Sequence, residues 1–327
     1  MLRLFANAHY DFIAARRYAY LLTALFIIPG VVFLLVKGLN YSIEFTGGTL
    51  IQVHGRAPVD VAALRTGLER QGIRGAEIQN FGSPNEFVVR ARVAKPGTDA
   101  NDTQGTADAV RQALLGVLGA DSFTIVRTEA VGPKVGGELR QKAFLAIFLS
   151  FFAVLAYLAY RFEWRFGLAA VSATAHDIVA TIAFISMLRL EVSLTVVAAV
   201  LSMVGYSLND TIIIFDRVRE NLKKHKRDGF EQILNRSINE TLPRSVLTHG
   251  TTLSTLLALT IFGGEVIRPF ALVMFFGVFT GTFSSIYIAS PVLMAIERRW
   301  PGQLAKGHLA AAPAPAPGGS RKTAPVG

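Results

Sequence analysis

Six apolar runs limit what this chain can fold into more than any other feature. They are Tyr18–Val36, Ala143–Tyr160, Phe166–Leu188, Leu190–Phe215, Val246–Gly263 and Phe270–Ile296. A hydrocarbon core of about 30 Å is crossed by roughly 20 helical residues, so each run is long enough to span one. The expected class is a polytopic α-helical membrane protein with spanning helices at 18–36, 143–160, 166–188, 190–215, 246–263 and 270–296. The first run exceeds the apolar stretch of a secretory signal, and no small-x-small cleavage pattern follows it, so it reads as an uncleaved anchor. Pro29-Gly30 and Pro291 are expected to kink the first and sixth helices.

Composition bears on which functions are excluded. A net charge of +10 would suggest nucleic acid in a soluble chain, but here the basic residues flank apolar runs and topology accounts for them. There is no cysteine, which removes disulfides and thiol chemistry, and the six histidines lack metal-ligand spacing. No glycine pattern for nucleotide phosphates and no nucleophile–base set is present, so neither a cofactor nor an enzymatic reaction is implied.

With the N-terminus inside, the segments 1–17, 161–165, 216–245 and 297–327 are cytoplasmic and carry 3, 2, 8 and 5 Lys or Arg. The short outer turns carry only Arg189 and Arg268. Both termini are therefore expected in the cytoplasm. The basic loop at 216–245 contains Arg217–Arg227, which sets topology and can also meet anionic lipid head groups. The Ala/Pro/Gly-rich tail from Pro301 cannot bury a core and is expected to be disordered.

Residues 37–142 form an outer segment with a rhythm of its own. Thr49–His54, Ala76–Phe81, Glu86–Val93 and Phe123–Val131 alternate as strands, and Gly82-Ser83-Pro84-Asn85 is a turn. Val59–Gln71 and Ala107–Leu118 have helical spacing, while Lys95–Gly105 reads as a mobile loop. The order β-α-β-β-α-β is that of an α+β ferredoxin-like unit, placed between the first and second spans.

Function in a membrane protein is sought where ionisable groups enter apolar spans, because each costs about 2.5 kcal/mol or more near the bilayer centre. His176-Asp177 lies near the middle of the third span, and Ser207-Leu208-Asn209-Asp210-Thr211 interrupts the fourth. On a helix, Met203, Tyr206, Ser207, Asp210 and Ile214 share one side, which offers Asp210 hydroxyls on its own face. A carboxyl that takes up and returns a proton inside hydrocarbon is the elementary part of a proton relay; the plainer alternative is pairing with a neighbouring helix. Arg244, after Pro243 at the expected start of the fifth span, is the candidate partner, or else a topology-setting arginine at the interface. His176, Asp177 and His249 are candidates to extend the relay. Gly205, Gly263-Gly264, Gly277 and Gly281 permit close helix approach, and Gly277-x-x-x-Gly281 is a small-xxx-small match.

These residues resemble a known family. Gly205–Asn221 looks like the fourth-helix signature of SecF, and Asn235–Ser245 resembles the stretch leading into its fifth helix. Tyr41–Thr49 is similar to the motif after its first helix, with Glu44, Phe45, Gly47 and Gly48 as its junction residues, and Ala175-His176-Asp177 is similar to its third helix. SecF belongs to the resistance-nodulation-division transporters, in which carboxylates of a central helix carry protons. The resemblance implies a bacterial inner-membrane protein that pairs with SecD, associates with the SecYEG channel and uses the proton-motive force to promote export of unfolded preproteins. By carry-over, Asp210 and Arg244 would handle the proton, with Tyr206, Ser207 and Asn209 in support. Glu44 stands where the family usually has Asp, and His249 where a small residue is usual. Transporters of this type have two six-helix halves, so a chain supplying one half needs a partner. Two other readings are a small-molecule or lipid exporter of the same superfamily and a passive scaffold that steadies a channel.

Overall fold

The computed structural model describes residues 9–57, 60–73, 76–91, 103–119, 121–161, 163–302 and 305–309. After helix α1 (Arg16–Lys37) come the short strand β1 (Asn40–Tyr41) and the single turn α2 (Ile43–Thr46). A small α+β domain follows: β2 (Gly48–Gly55), α3 (Val61–Arg70), β3 (Glu77–Phe81), β4 (Ser83–Ala91), α4 (Thr103–Leu118) and β5 (Phe123–Val131). The rest is helical: α5 (Pro133–Arg161), α6 (Trp164–Met187), α7 (Leu194–Lys224), α8 (Phe230–Phe262), α9 (Gly264–Ser284), a π-helical turn at Ser285–Ala289, α10 (Ser290–Arg299) and α11 (Lys306–Leu309). Strand β6 (Glu191–Val192) sits between α6 and α7.

Six helical segments are long and apolar enough to cross a membrane, α9 and α10 together making the sixth. About half of the most apolar stretch is buried in α6 (50%), α7 (56%) and α9–α10 (56%), against 11% in α1, 6% in α5 and 17% in α8. The first three are thus the interior of the bundle and the others its flanks. Apolar residues close the sheet domain on itself: Ile51, Val53, Phe87 and Val89 from the strands meet Leu64, Leu68, Val110 and Leu114 from α3 and α4. The strands run in the order β3-β4-β2-β5 with antiparallel neighbours throughout.

Several sequence expectations are corrected here. Residues 216–245 are not a loop: α7 continues to Lys224, α8 begins at Phe230, and only 225–229 turn between them. Both extensions carry an apolar stripe, with Val218 and Leu222 packing near Phe230, Ile233, Leu234 and Ile238. Asn221 Nδ2 also donates to Ser237 Oγ at 3.0 Å and Glu240 Oε2 at 2.9 Å. Pro243 consequently lies inside α8 rather than in its first turn. Likewise α5 starts at Pro133, ten residues before the apolar run that marked it. Before Pro291 the helix widens into the π-helical turn, and Ser290 Oγ donates to Ser285 O at 3.0 Å. A proline ring cannot accept the carbonyl four residues back in its place, and a widened turn relieves that clash.

The turn expected at 82–85 tightens onto Gly82, whose φ of 78° suits a residue without Cβ, and β4 begins directly at Ser83. Most of the Lys95–Gly105 link lies outside the described residues, but Thr103–Gly105 open α4. The tail does not fall away at Pro301. Gly302 N–H donates to Glu297 at 2.7 Å, and buried His308 reaches Asp228 O at 2.8 Å and Leu222 O at 3.0 Å. The remaining tail, 310–327, is outside the described residues.

Candidate functional site

The junction motif joins the sheet domain to the bundle. Gly47 (φ 73°) and Gly48 (φ 133°) turn the chain from α2 into β2 in a conformation that side chains disfavour. A Cβ on Gly136 of α5 would come within 2.9 Å of Gly47 N, so α5 lies directly against this turn. Phe45 is buried among Val192, Val196 and Val200 at the end of the bundle next to the sheet domain. Glu44 Oε2 accepts from Leu194 N at 2.6 Å, and Ser193 caps Val196 N at 3.3 Å. A carboxylate from the motif thereby satisfies a free amide at the start of α7 and complements its dipole. Glu44→Ala should weaken that helix start by about 1–2 kcal/mol. The check is amide hydrogen exchange: protection over 194–198 should fall while that of α3 and α4 holds.

Strand pairing adds a second tie, since Asn40 and Tyr41 run parallel to Glu191 and Val192. Arg90 of β4 pairs with Glu191. Burial pushes the Glu191 carboxyl above the usual carboxylate range, and the Arg90 guanidinium opposes that push.

Deeper in the bundle, α7 meets two buried carboxylates: Asp177 of α6, bonded to Ser207, and its own Asp210, bonded to Ser245 of α8. Asp177 of α6 is fully buried at 0% exposure. One of its oxygens meets His176 Nδ1 at 2.9 Å, and the other accepts from Ser207 Oγ at 2.5 Å and Ser284 Oγ at 2.7 Å. Three helices thus converge on one carboxylate. They can approach because of two glycines: a Cβ on Gly281 would stand 2.8 Å from Ser207 Cβ, and one on Gly277 would stand 2.7 Å from Met203 Cγ. One turn further along, Thr211 and Ser285 share a hydroxyl hydrogen bond of 2.7 Å.

Asp210, 3% exposed, faces α8. Its Oδ1 accepts from Ser245 Oγ at 2.5 Å, and its Oδ2 is buried without a hydrogen-bond partner among the described residues. Tyr206, one turn earlier on α7, lays its ring 5.4 Å from that of His249, one turn later on α8 than Ser245. The Tyr206 hydroxyl donates to Thr252 Oγ1 at 2.9 Å. A buried carboxylate with one oxygen bonded and one bare is chemically unsettled: ionised, it lacks donors, and protonated, it has a hydrogen to place.

The sequence reading is corrected in four places. Ser207 serves Asp177 rather than Asp210, because α6 and α9 pack on that side of α7. Tyr206 bonds across to α8 and not to Asp210. Arg244 is exposed and, among the described residues, forms no direct ion pair, although its charge reaches Asp210; its neighbour Ser245 makes the hydrogen bond to the carboxylate. Asn209 is exposed, on the far side of α7 from Ser207. Sequence reasoning missed Ser245, Ser284 and Ser285, although a serine doublet inside an apolar run was a usable signal.

Comparison with known proteins places this arrangement. The profile of the family described as protein export membrane protein SecD/SecF, C-terminal, matches residues 112–299, and that of the SecD/SecF GG motif matches 32–59. The protein translocase subunit SecF of Gemmatimonas aurantiaca is 57% identical over 92% of this chain and 91% of its own length. The SecF subunit of Escherichia coli O157:H7 is 37% identical over 88% of each. A crystal structure of SecDF from Thermus, a translocon-associated membrane protein, superposes with a TM-score of 0.80 at 36% identity; it covers 90% of this chain, which spans only 40% of that one. The chain belongs to the SecD/SecF family of protein-export membrane proteins, and within it to the SecF subunits of the protein translocase.

Proposed function

We propose that this inner-membrane chain is the proton-handling SecF half of a protein-export motor, with Asp210 as the group that takes up and releases the proton. The observation that carries this reading is the bare Oδ2 of a buried carboxylate held by a single serine between α7 and α8. Asp177 with His176 is a second buried acid, held by Ser207 one turn from Asp210 on the same helix, and Arg244 stands one residue from the serine that holds Asp210. Protonation and ionisation ask for different donors around Asp210, so each change of state favours a different packing of α8 on α7.

The partner is a SecD chain. Ser202, Gly205 and Asn209 on α7 and Arg244, Thr248, Thr251 and Thr255 on α8 are exposed in a membrane-spanning region. Polar groups there require water or a second protein rather than acyl chains. The residue 37–142 segment is read as a ferredoxin-like periplasmic domain, supported by its strand order and its two helices. Both termini then face the cytoplasm, and the domain, tied to α7 by Glu44 and to Glu191 by Arg90, passes bundle movement to a preprotein leaving SecYEG.

The test uses inner-membrane vesicles that contain the SecYEG channel, SecD and this chain. Adding the chain should raise preprotein export several-fold when a proton gradient is present, and an ionophore should abolish the gain. Stimulation that survives the ionophore in full would reduce the protein to a scaffold.

A further inference from the structure

His249 stands in the site, one turn along α8 from the serine that holds Asp210. Its position follows from helix geometry. Tyr206 and Asp210 are one turn apart on α7, Ser245 and His249 one turn apart on α8, and the two turns face each other. Ser245 to Asp210, at 2.5 Å, closes one side of this four-residue frame, and the ring contact of Tyr206 with His249 closes the other. His249 is buried at 6% exposure, and its Nδ1 has no hydrogen-bond partner among the described residues. Asp210 Oδ2 is in the same condition, and the two groups are close enough for their charges to interact. Unpartnered buried polar atoms are rare, and two within one frame, one on an acid and one on a base, form a complementary pair.

The charged surroundings are sparse. From α7 the imidazole meets Tyr206 and Asp210, and on its own helix Arg244 lies five residues away. Helix α9 carries no titratable side chain between Arg268 and its end at Ser284, and on α6 His176 and Asp177 are engaged with each other, Ser207 and Ser284. Its proton exchange is therefore governed mainly by Asp210.

We propose that His249 is a second proton carrier of this chain, passing a proton to Asp210 from the side of the bundle nearer the sheet domain. The proposal rests on the reading of Asp210 as the proton-handling acid. In the step, the Nδ1–H bond of the imidazolium breaks and an O–H bond forms on Oδ2, which leaves a neutral imidazole and a neutral carboxyl. The ring is reloaded by a proton from the outer aqueous phase. Helix α7 starts at the sheet domain, where Glu44 caps it, so His249 lies one turn outward of Ser245 and is the first of the pair that an incoming proton meets.

The experiment measures initial proton flux in vesicles holding the complex of this chain with SecD, loaded with a pH-sensitive dye, at outer pH from about 5 to 8. His249→Gln keeps the volume and polarity of the ring but carries no proton. It should lower flux by about tenfold or more and remove the inflection from the flux–pH profile. His249→Ala should do the same, and imidazole in the medium should restore its flux, with 4-methylimidazole differing as its basicity differs. Wild-type flux with an unaltered profile in His249→Gln would overturn the proposal even if the alanine variant fails to assemble. Asp210→Asn keeps the two readings apart. If it stops flux while His249→Gln changes nothing, only the histidine step is lost; if it leaves flux intact, the wider proton reading falls as well.

Discussion

Asp210→Asn is expected to leave a chain that folds and assembles with SecD but no longer responds to a proton gradient. The amide has nearly the shape of the carboxyl, and its Oδ1 can still accept from Ser245, so packing at the contact is retained. What disappears is the ability to gain and lose a proton. Positioned proton-transfer groups contribute about 10²- to 10⁴-fold, so proton flux should drop by at least ~100-fold, and the several-fold gain in export should vanish, returning export to the level seen without this chain. Co-purification with SecD and the thermal midpoint of the complex provide the controls. An asparagine variant that still stimulates export under a gradient would show that the carboxyl is a structural contact.

Gly281→Leu should produce the largest loss of stability. The first added carbon already lies 2.8 Å from Ser207 Cβ and 3.1 Å from its Cα, and backbone cannot step aside as a flexible side chain can. Overpacking costs about 1–3 kcal/mol, and parting α7 from α9 also strains the Ser207 and Ser284 bonds to Asp177, each worth about 1.5–3 kcal/mol with a charged acceptor. The thermal midpoint in detergent should fall well below that of the parent. Gly205→Ala on the chain alone is the comparison: no atom lies within 4 Å of the new carbon, so the midpoint should hardly move.

Those two glycines show where sequence reading reaches its limit. Both sit in apolar runs beside small residues, and although Gly281 belongs to a small-xxx-small match, that common pattern does not say which helix it meets or how closely. The difference is which helix lies opposite. The six spans were legible because their length is imposed by the bilayer, and the strands of the outer domain because alternation is a local property. Helical extensions beyond the apolar runs were not legible: once a helix leaves the membrane, its signal shrinks to a stripe such as Ile233, Leu234 and Ile238, which resembles an ordinary polar segment. Asp177 and Asp210 stood out because a carboxylate among apolar residues is costly wherever it points. Their partners did not, because Ser207 can bond on either flank of α7 and only packing decides between them. Arg244 was chosen for its charge, and its neighbour Ser245 was passed over for lack of one.

The continuity of α8 through Pro243 has a mechanical consequence. At 1.5 Å per residue, its 33 residues make a rod of about 50 Å, and Ser245 sits near the middle. Proline has no amide hydrogen, so the carbonyl of Asn239 loses its usual helical donor, and the rod bends there at lower cost than elsewhere along its length. The bending point is two residues from the serine that grips Asp210. A shift of a few tenths of an ångström at the carboxyl is thus applied beside a natural pivot, with arms of roughly 20 and 29 Å on either side to enlarge it.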